Sequence, residues 1–99
     1  MELWIRSQDK RHLLEVDKID WYGGAIYTND NVNLETTKDG ETYLLGRYYT
    51  GKRALEVLDE IQSILETNRL FELYSNIGEF PDDFNKKYNY VEVYKMPKE

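Results

Sequence analysis

The chain has 99 residues, enough for a single domain over 1–99, with 19 acidic against 13 basic side chains and a net charge of −6. It has no cysteine and one histidine, which excludes disulfides, a thiol nucleophile and cysteine-ligated metal sites. The acidic balance argues against broad basic contact with nucleic acid, so no direct nucleic-acid binding is expected.

No apolar run approaches the roughly 18 residues of a membrane helix. The opening Met1-Glu2-Leu3-Trp4-Ile5-Arg6 lacks the apolar core of a signal peptide. A cytoplasmic protein without membrane contact is expected. Leu3–Arg6 reads as a first strand and Ser7–Lys10 as a polar turn. His12–Trp21 reads as a second strand whose phase changes: Leu14 and Val16 share one parity, Ile19 and Trp21 the other. That change predicts a bulge near Asp17-Lys18.

Gly23-Gly24 supplies a turn, Ala25–Thr28 a third strand, and Asn29-Asp30-Asn31 the next turn. Val32, Leu34 and Thr36 alternate with polar residues as a half-buried fourth strand. After Lys38-Asp39-Gly40, Thr42–Tyr49 makes a fifth. The period then switches to 3.6: Thr50 suits an N-cap, and Ala54, Leu55, Val57, Leu58, Ile61, Ile64 and Leu65 follow at helical spacing. This helix is expected to end near Thr67-Asn68.

Residues 69–87 fit a second short helix or a strand, with Ile77–Asp83 a loop broken by Gly78 and Pro81. Tyr88–Met96 reads as a last strand, with Val91 and Val93 on its core side and Tyr88, Tyr90, Tyr94 and Met96 opposite. The expected class is α+β: an antiparallel sheet of about five to six strands with one amphipathic helix packed on one face.

Catalytic chemistry has weak support. His12 sits beside Arg11 at a strand start, with no G-x-S-x-G, H-E-x-x-H, P-loop or G-x-G-x-x-G pattern in the chain. Carboxylates pair at Asp59-Glu60, at Glu56 four residues before Glu60, and at Asp82-Asp83. The first two sit on a solvated helix face, and Asp82-Asp83-Phe84-Asn85 lacks calcium-loop spacing. No catalytic residue, metal or cofactor is expected.

Three surfaces remain. Tyr49-Thr50-Gly51-Lys52-Arg53 places backbone N–H groups and two cations at a helix start, where Thr50, Lys52 and Arg53 with Arg47 and Arg6 could hold an anion. The alternative there is an ordinary N-cap with two solvated bases. Tyr88, Tyr90 and Tyr94 form an aromatic stripe that serves either packing or a protein interface. Glu56, Asp59, Glu60 and Glu66 form an acidic helix face that either is merely solvated or imitates the phosphates of DNA.

Trp4-Ile5-Arg6-Ser7-Gln8-Asp9, Leu45-Gly46-Arg47-Tyr48, the helix Ala54-Leu55-Glu56-Val57-Leu58-Asp59-Glu60-Ile61-Gln62 and the ending Tyr94-Lys95-Met96-Pro97 carry a family resemblance. They resemble small uncharacterised proteins encoded by phages, prophages and mobile elements of Gram-positive bacteria. The likeness spans about half the chain, and residues 29–43 and 67–88 depart from the shorter family form. No activity accompanies the family. Its setting implies a small non-enzymatic protein that binds and inhibits a host protein, such as a CRISPR-type defence nuclease complex. The contact would fall on Tyr88, Tyr90, Tyr94, Glu56, Asp59 and Glu60. The alternative is a small-ligand binder that sequesters a nucleotide signal; a homodimer with tyrosines at its interface is a third reading.

Overall fold

The computed structural model describes residues 3–81, 84 and 88–99. Among these residues six strands and one long helix occur in the order β1 (Leu3–Arg6), β2 (Leu13–Val16), β3 (Asp20–Gly23), β4 (Val32–Lys38), β5 (Glu41–Tyr48), α1 (Gly51–Ile77) and β6 (Val93–Lys95). The class is α+β, but the strands do not form one antiparallel sheet. They form two sheets of three, β2-β1-β6 and β3-β4-β5. The first is mixed, since β1 runs antiparallel to β2 and parallel to β6.

The change of phase near Asp17-Lys18 marks where the chain leaves one sheet for the other, rather than a bulge. Val16 ends β2 with its side chain buried, and Asp20 opens β3 in the second sheet. Side chains of β4 secure the crossing. Thr36 Oγ1 donates to the Lys18 carbonyl at 2.7 Å, and Lys38 Nζ donates to the Glu15 carbonyl at 2.7 Å. The irregularity in register lies instead in the β4–β5 pair, between Leu34 and Glu35.

No strand forms at Ala25–Thr28. Ile26 and Tyr27 are adjacent and both exposed, so the segment has no single apolar face, and it turns on itself through Thr28 N–H to the Ala25 carbonyl. This loop crosses the start of α1. A Cβ on Gly51 would stand 2.3 Å from the Ala25 carbonyl oxygen, so only glycine admits the crossing. Asp39 and Gly40, at φ 54° and 83°, make the tight β4–β5 turn.

Thr50 is the N-cap, its Oγ1 accepting the Arg53 N–H at 3.1 Å, an interaction worth about 1 kcal/mol. The helix then runs 27 residues, well past Thr67-Asn68. It stops at Gly78, whose left-handed backbone (φ 84°) lets its N–H reach the Tyr74 and Ser75 carbonyls. Asn68 does not break the helix. It is buried, its Nδ2 donating to the Val91 carbonyl at 2.6 Å and its Oδ1 accepting the Val91 N–H at 2.9 Å.

The core gathers Leu3, Ile5 and Val16 from the first sheet, Val32, Leu34, Leu45 and Tyr48 from the second, and Ala54, Val57 and Ile61 from α1. Tyr94 and Met96 complete it. The inward parity of the final strand is thus opposite to expectation, with Val93 exposed and Tyr94 buried. Only Val93–Lys95 of the anticipated Tyr88–Met96 strand pairs with β1.

Two substitutions test these packing arguments. Asn68→Ala leaves both half-buried backbone groups of Val91 without their side-chain partner and should cost about 1–3 kcal/mol, read as a lower urea midpoint. Gly51→Ala should also destabilise, although alanine is the better helix former by about 1 kcal/mol, because the Ala25 carbonyl blocks the methyl group.

Candidate functional site

With a rise of about 1.5 Å per residue, α1 is roughly 40 Å long, close to the 45 Å longest dimension of the molecule. Its first half lies across both sheets. Its second half is covered instead by an aromatic cluster. Phe71 packs edge-on against Phe84 at 4.7 Å and Tyr90 at 6.0 Å, and Tyr74 against Phe84 at 5.0 Å and Phe80 at 5.9 Å. Tyr88 stacks obliquely on Phe84 at 5.1 Å.

The outward side of α1 carries Asp59, Ser63, Glu66, Leu70, Leu73 and Ile77 at alternating spacings of four and three residues, which aligns them in one stripe. All six are exposed. The stripe is polar and acidic over its first half and apolar over its second, where Leu70, Leu73 and Ile77 are 39%, 50% and 61% exposed. Tyr88 and Tyr90, at 42% and 49%, and Phe80, at 39%, are exposed within the aromatic cluster, on the Phe71 and Tyr74 side of the helix. A hollow of about 440 Å³ lies between Phe71, Glu72, Ser75, Asn76, Phe80 and Tyr90. This half of the helix bears more exposed apolar surface than the sheets need for their own cover.

The partner-binding residues expected from sequence therefore separate. Glu56 and Asp59 lie exposed on α1, Glu56 paired with Arg53 at 3.6 Å. Glu60 is also exposed but stands close enough to Tyr94 to raise its pKa. Tyr88 and Tyr90 are accessible at the far end, while Tyr94 is core. Sequence reading missed Leu70, Leu73 and Ile77 because it ended the helix too early. Their own spacing held the signal, had the helical period been carried through Asn68.

The anion-binding alternative is dispersed. Arg6 donates to the Lys10 carbonyl, Arg47 Nε to Asn33 Oδ1, and Arg53 Nε to the Glu99 carbonyl. The Gly51 N–H, one of the groups meant for an anion, points to the Thr28 carbonyl at 3.4 Å. Lys52 and Thr50 border a separate hollow of about 430 Å³ with Ile26, Tyr27 and Leu55. His12 packs edge-on against Tyr43 at 5.1 Å. Asp82-Asp83 lie outside the described residues. Among the described residues no three histidine or carboxylate side chains converge as a metal-binding group.

Two buried tyrosines have altered acidity. Burial pushes Tyr48 up to about 12 and also raises Tyr94, with the neighbouring Glu60 carboxylate adding to the second. Tyr48 keeps a partner, donating to the Pro97 carbonyl at 2.9 Å. The Tyr94 hydroxyl is buried without a hydrogen bond among the described residues. The folded state holds these protons more tightly than the unfolded chain, where tyrosine titrates near 10.0. Their contribution is therefore complete below pH 10 and should fade as pH rises toward 12. Tyrosinate absorbance should show a late fraction appearing together with unfolding, and Tyr48→Phe should shrink it.

No helix among the described residues is long and apolar enough to cross a membrane. Compared with known proteins, the chain matches no family model, no curated protein and no solved structure.

Proposed function

We propose that the chain is a non-enzymatic binding protein that engages a basic host protein through the outward stripe of α1. One observation carries the reading: Leu70, Leu73 and Ile77 stand exposed in line with Asp59 and Glu66. Those side chains are already about half buried, so covering what remains gains roughly 1 kcal/mol each, a definite source of affinity for a complementary surface. The carboxylates govern approach and orientation more than affinity.

The partner this order suits carries positive charge beside an apolar shelf. The basic rim of a nucleic-acid groove in a defence nuclease complex would supply the positive charge, and the resemblance to mobile-element proteins supplies the setting. Inhibition would follow from occupying the groove. A parallel pairing of two copies would instead set Asp59 and Glu66 against themselves, which disfavours that form of homodimer. The nucleotide-sequestering alternative has less support, since Arg6, Arg47, Thr50, Lys52 and Arg53 are engaged in or bordered by separate local surroundings.

A benzophenone side chain introduced at Leu73, and separately at Thr42 as a control, tests this in lysate of a Gram-positive host. Light should give one discrete adduct from position 73 and none from 42. Asp59→Lys with Glu66→Lys should slow its formation by about tenfold or more. No adduct, equal labelling from both positions, or indifference to the charge reversals would overturn the reading.

A further inference from the structure

The outer face of the first sheet has a different character from α1. Leu3 and Ile5 point into the core, so Trp4 and Arg6 project the other way, beside Leu13 on β2 and Val93 and Lys95 on β6. Trp4, Leu13 and Val93 are 38%, 42% and 40% exposed. Next to them a hollow of about 550 Å³ is lined by Arg6, Gln8, Lys10, Val93, Lys95, Met96 and Lys98. Four cations meet there in a chain of net charge −6, and among the described residues no carboxylate lies within 4.0 Å of any of them.

The backbone adds a second, directional feature. Among the described residues β6 pairs with β1 alone. Trp4 N–H donates to the Glu92 carbonyl and Met96 N–H to the Arg6 carbonyl, and in a parallel ladder such bonds fall on alternate residues. The N–H and C=O groups of Val93 and Lys95 therefore face away from β1, along the open edge of the sheet. Lysines on an edge ordinarily discourage pairing. Here they discriminate by charge: a second copy would bring Lys95 toward Lys95, whereas a strand bearing carboxylates would find its counter-charges already in place.

We propose that this edge receives an extended acidic segment of a partner protein as an added strand, its main chain on Val93–Lys95 and its carboxylates over Lys95, Lys98 and Arg6. Residues alternating with those carboxylates would be apolar and continue the inner face of the sheet beside Tyr94 and Met96. The surface is separate from the α1 stripe and does not depend on it.

The probe is a short labelled peptide of alternating Glu and Val, followed by fluorescence anisotropy with the intact chain. Saturable binding is expected, weakened about tenfold or more by Lys95→Glu with Lys98→Glu and by raised salt. Leu73→Glu, which disables the α1 stripe, should leave it unchanged. N-methylation at alternate residues leaves one peptide edge intact and should be tolerated, while methylation at every residue should abolish binding. No binding would mean that the lysines only guard the edge. Binding that survives full methylation, that ignores the charge reversals, or that oligothymidylate matches would likewise overturn the proposal.

Discussion

Beside the core that both sheets share, the side chain of Gln8 joins them by hydrogen bonds, standing where a strand would otherwise be. Its backbone N–H donates to the Leu45 carbonyl at 2.7 Å, and its Oε1 accepts the Arg47 N–H at 2.9 Å. Its Nε2 sits within 2.8–3.2 Å of the carbonyls of Arg47, Pro97 and Lys98. One amide thus satisfies an edge of β5 and anchors the tail that follows β6. The turn that presents it is fixed by Ser7, buried and bonded both to Asp9 and to the His12 N–H. Bonds from the Ser7 hydroxyl and the Arg11 N–H hold the Asp9 carboxyl below its usual pKa.

The elements with strict periodicity could be read from sequence, and the irregular joints could not. β1, β4 and β5 and the Thr50 cap follow from alternation, turn residues and capping chemistry. The phase change after Val16 was visible, but an inserted residue and a switch of sheet leave the same trace in sequence. Asn68 misled for a physical reason. A polar residue in a helix usually signals an end or a solvated face, and only its distant partner Val91 makes it a buried clamp. The final strand differed in extent, direction and parity: only Val93–Lys95 pairs, parallel to β1, and Tyr94 faces inward. Valine is the commoner core residue, yet Tyr48, Glu60 and β1 together left room inside for Tyr94.

The candidate surfaces follow the same division. Acidic residues on α1 could be named from spacing because they lie in its regular first half. The apolar continuation lies beyond Asn68, so recognising it required the helix to be followed into a region without a sheet beneath it. The aromatic cover over that half, Phe71 against Phe84 and Tyr90, explains why the extension is ordered on one side and bare on the other. Charge is also unevenly distributed: carboxylates accompany the exposed apolar stripe of α1, and cations surround the open edge of β6. The net figure of −6 conceals both.

The central strand of the mixed sheet has partners from opposite ends of the sequence. β1 meets β2 across a short turn, but it meets β6 only after some ninety residues, and the Gln8 bond to the Lys98 carbonyl spans a separation of 90. Such closure makes folding slow relative to chain length, because the loop entropy falls due before the contacts form. During synthesis the side of β1 that β6 will occupy stays open while β3, β4, β5 and α1 emerge. The backbone groups on that edge of β1 remain wet until β6 pairs with them. The N-terminal hairpin is therefore a waiting template, vulnerable to proteases and to other strands until the far end of the sheet arrives.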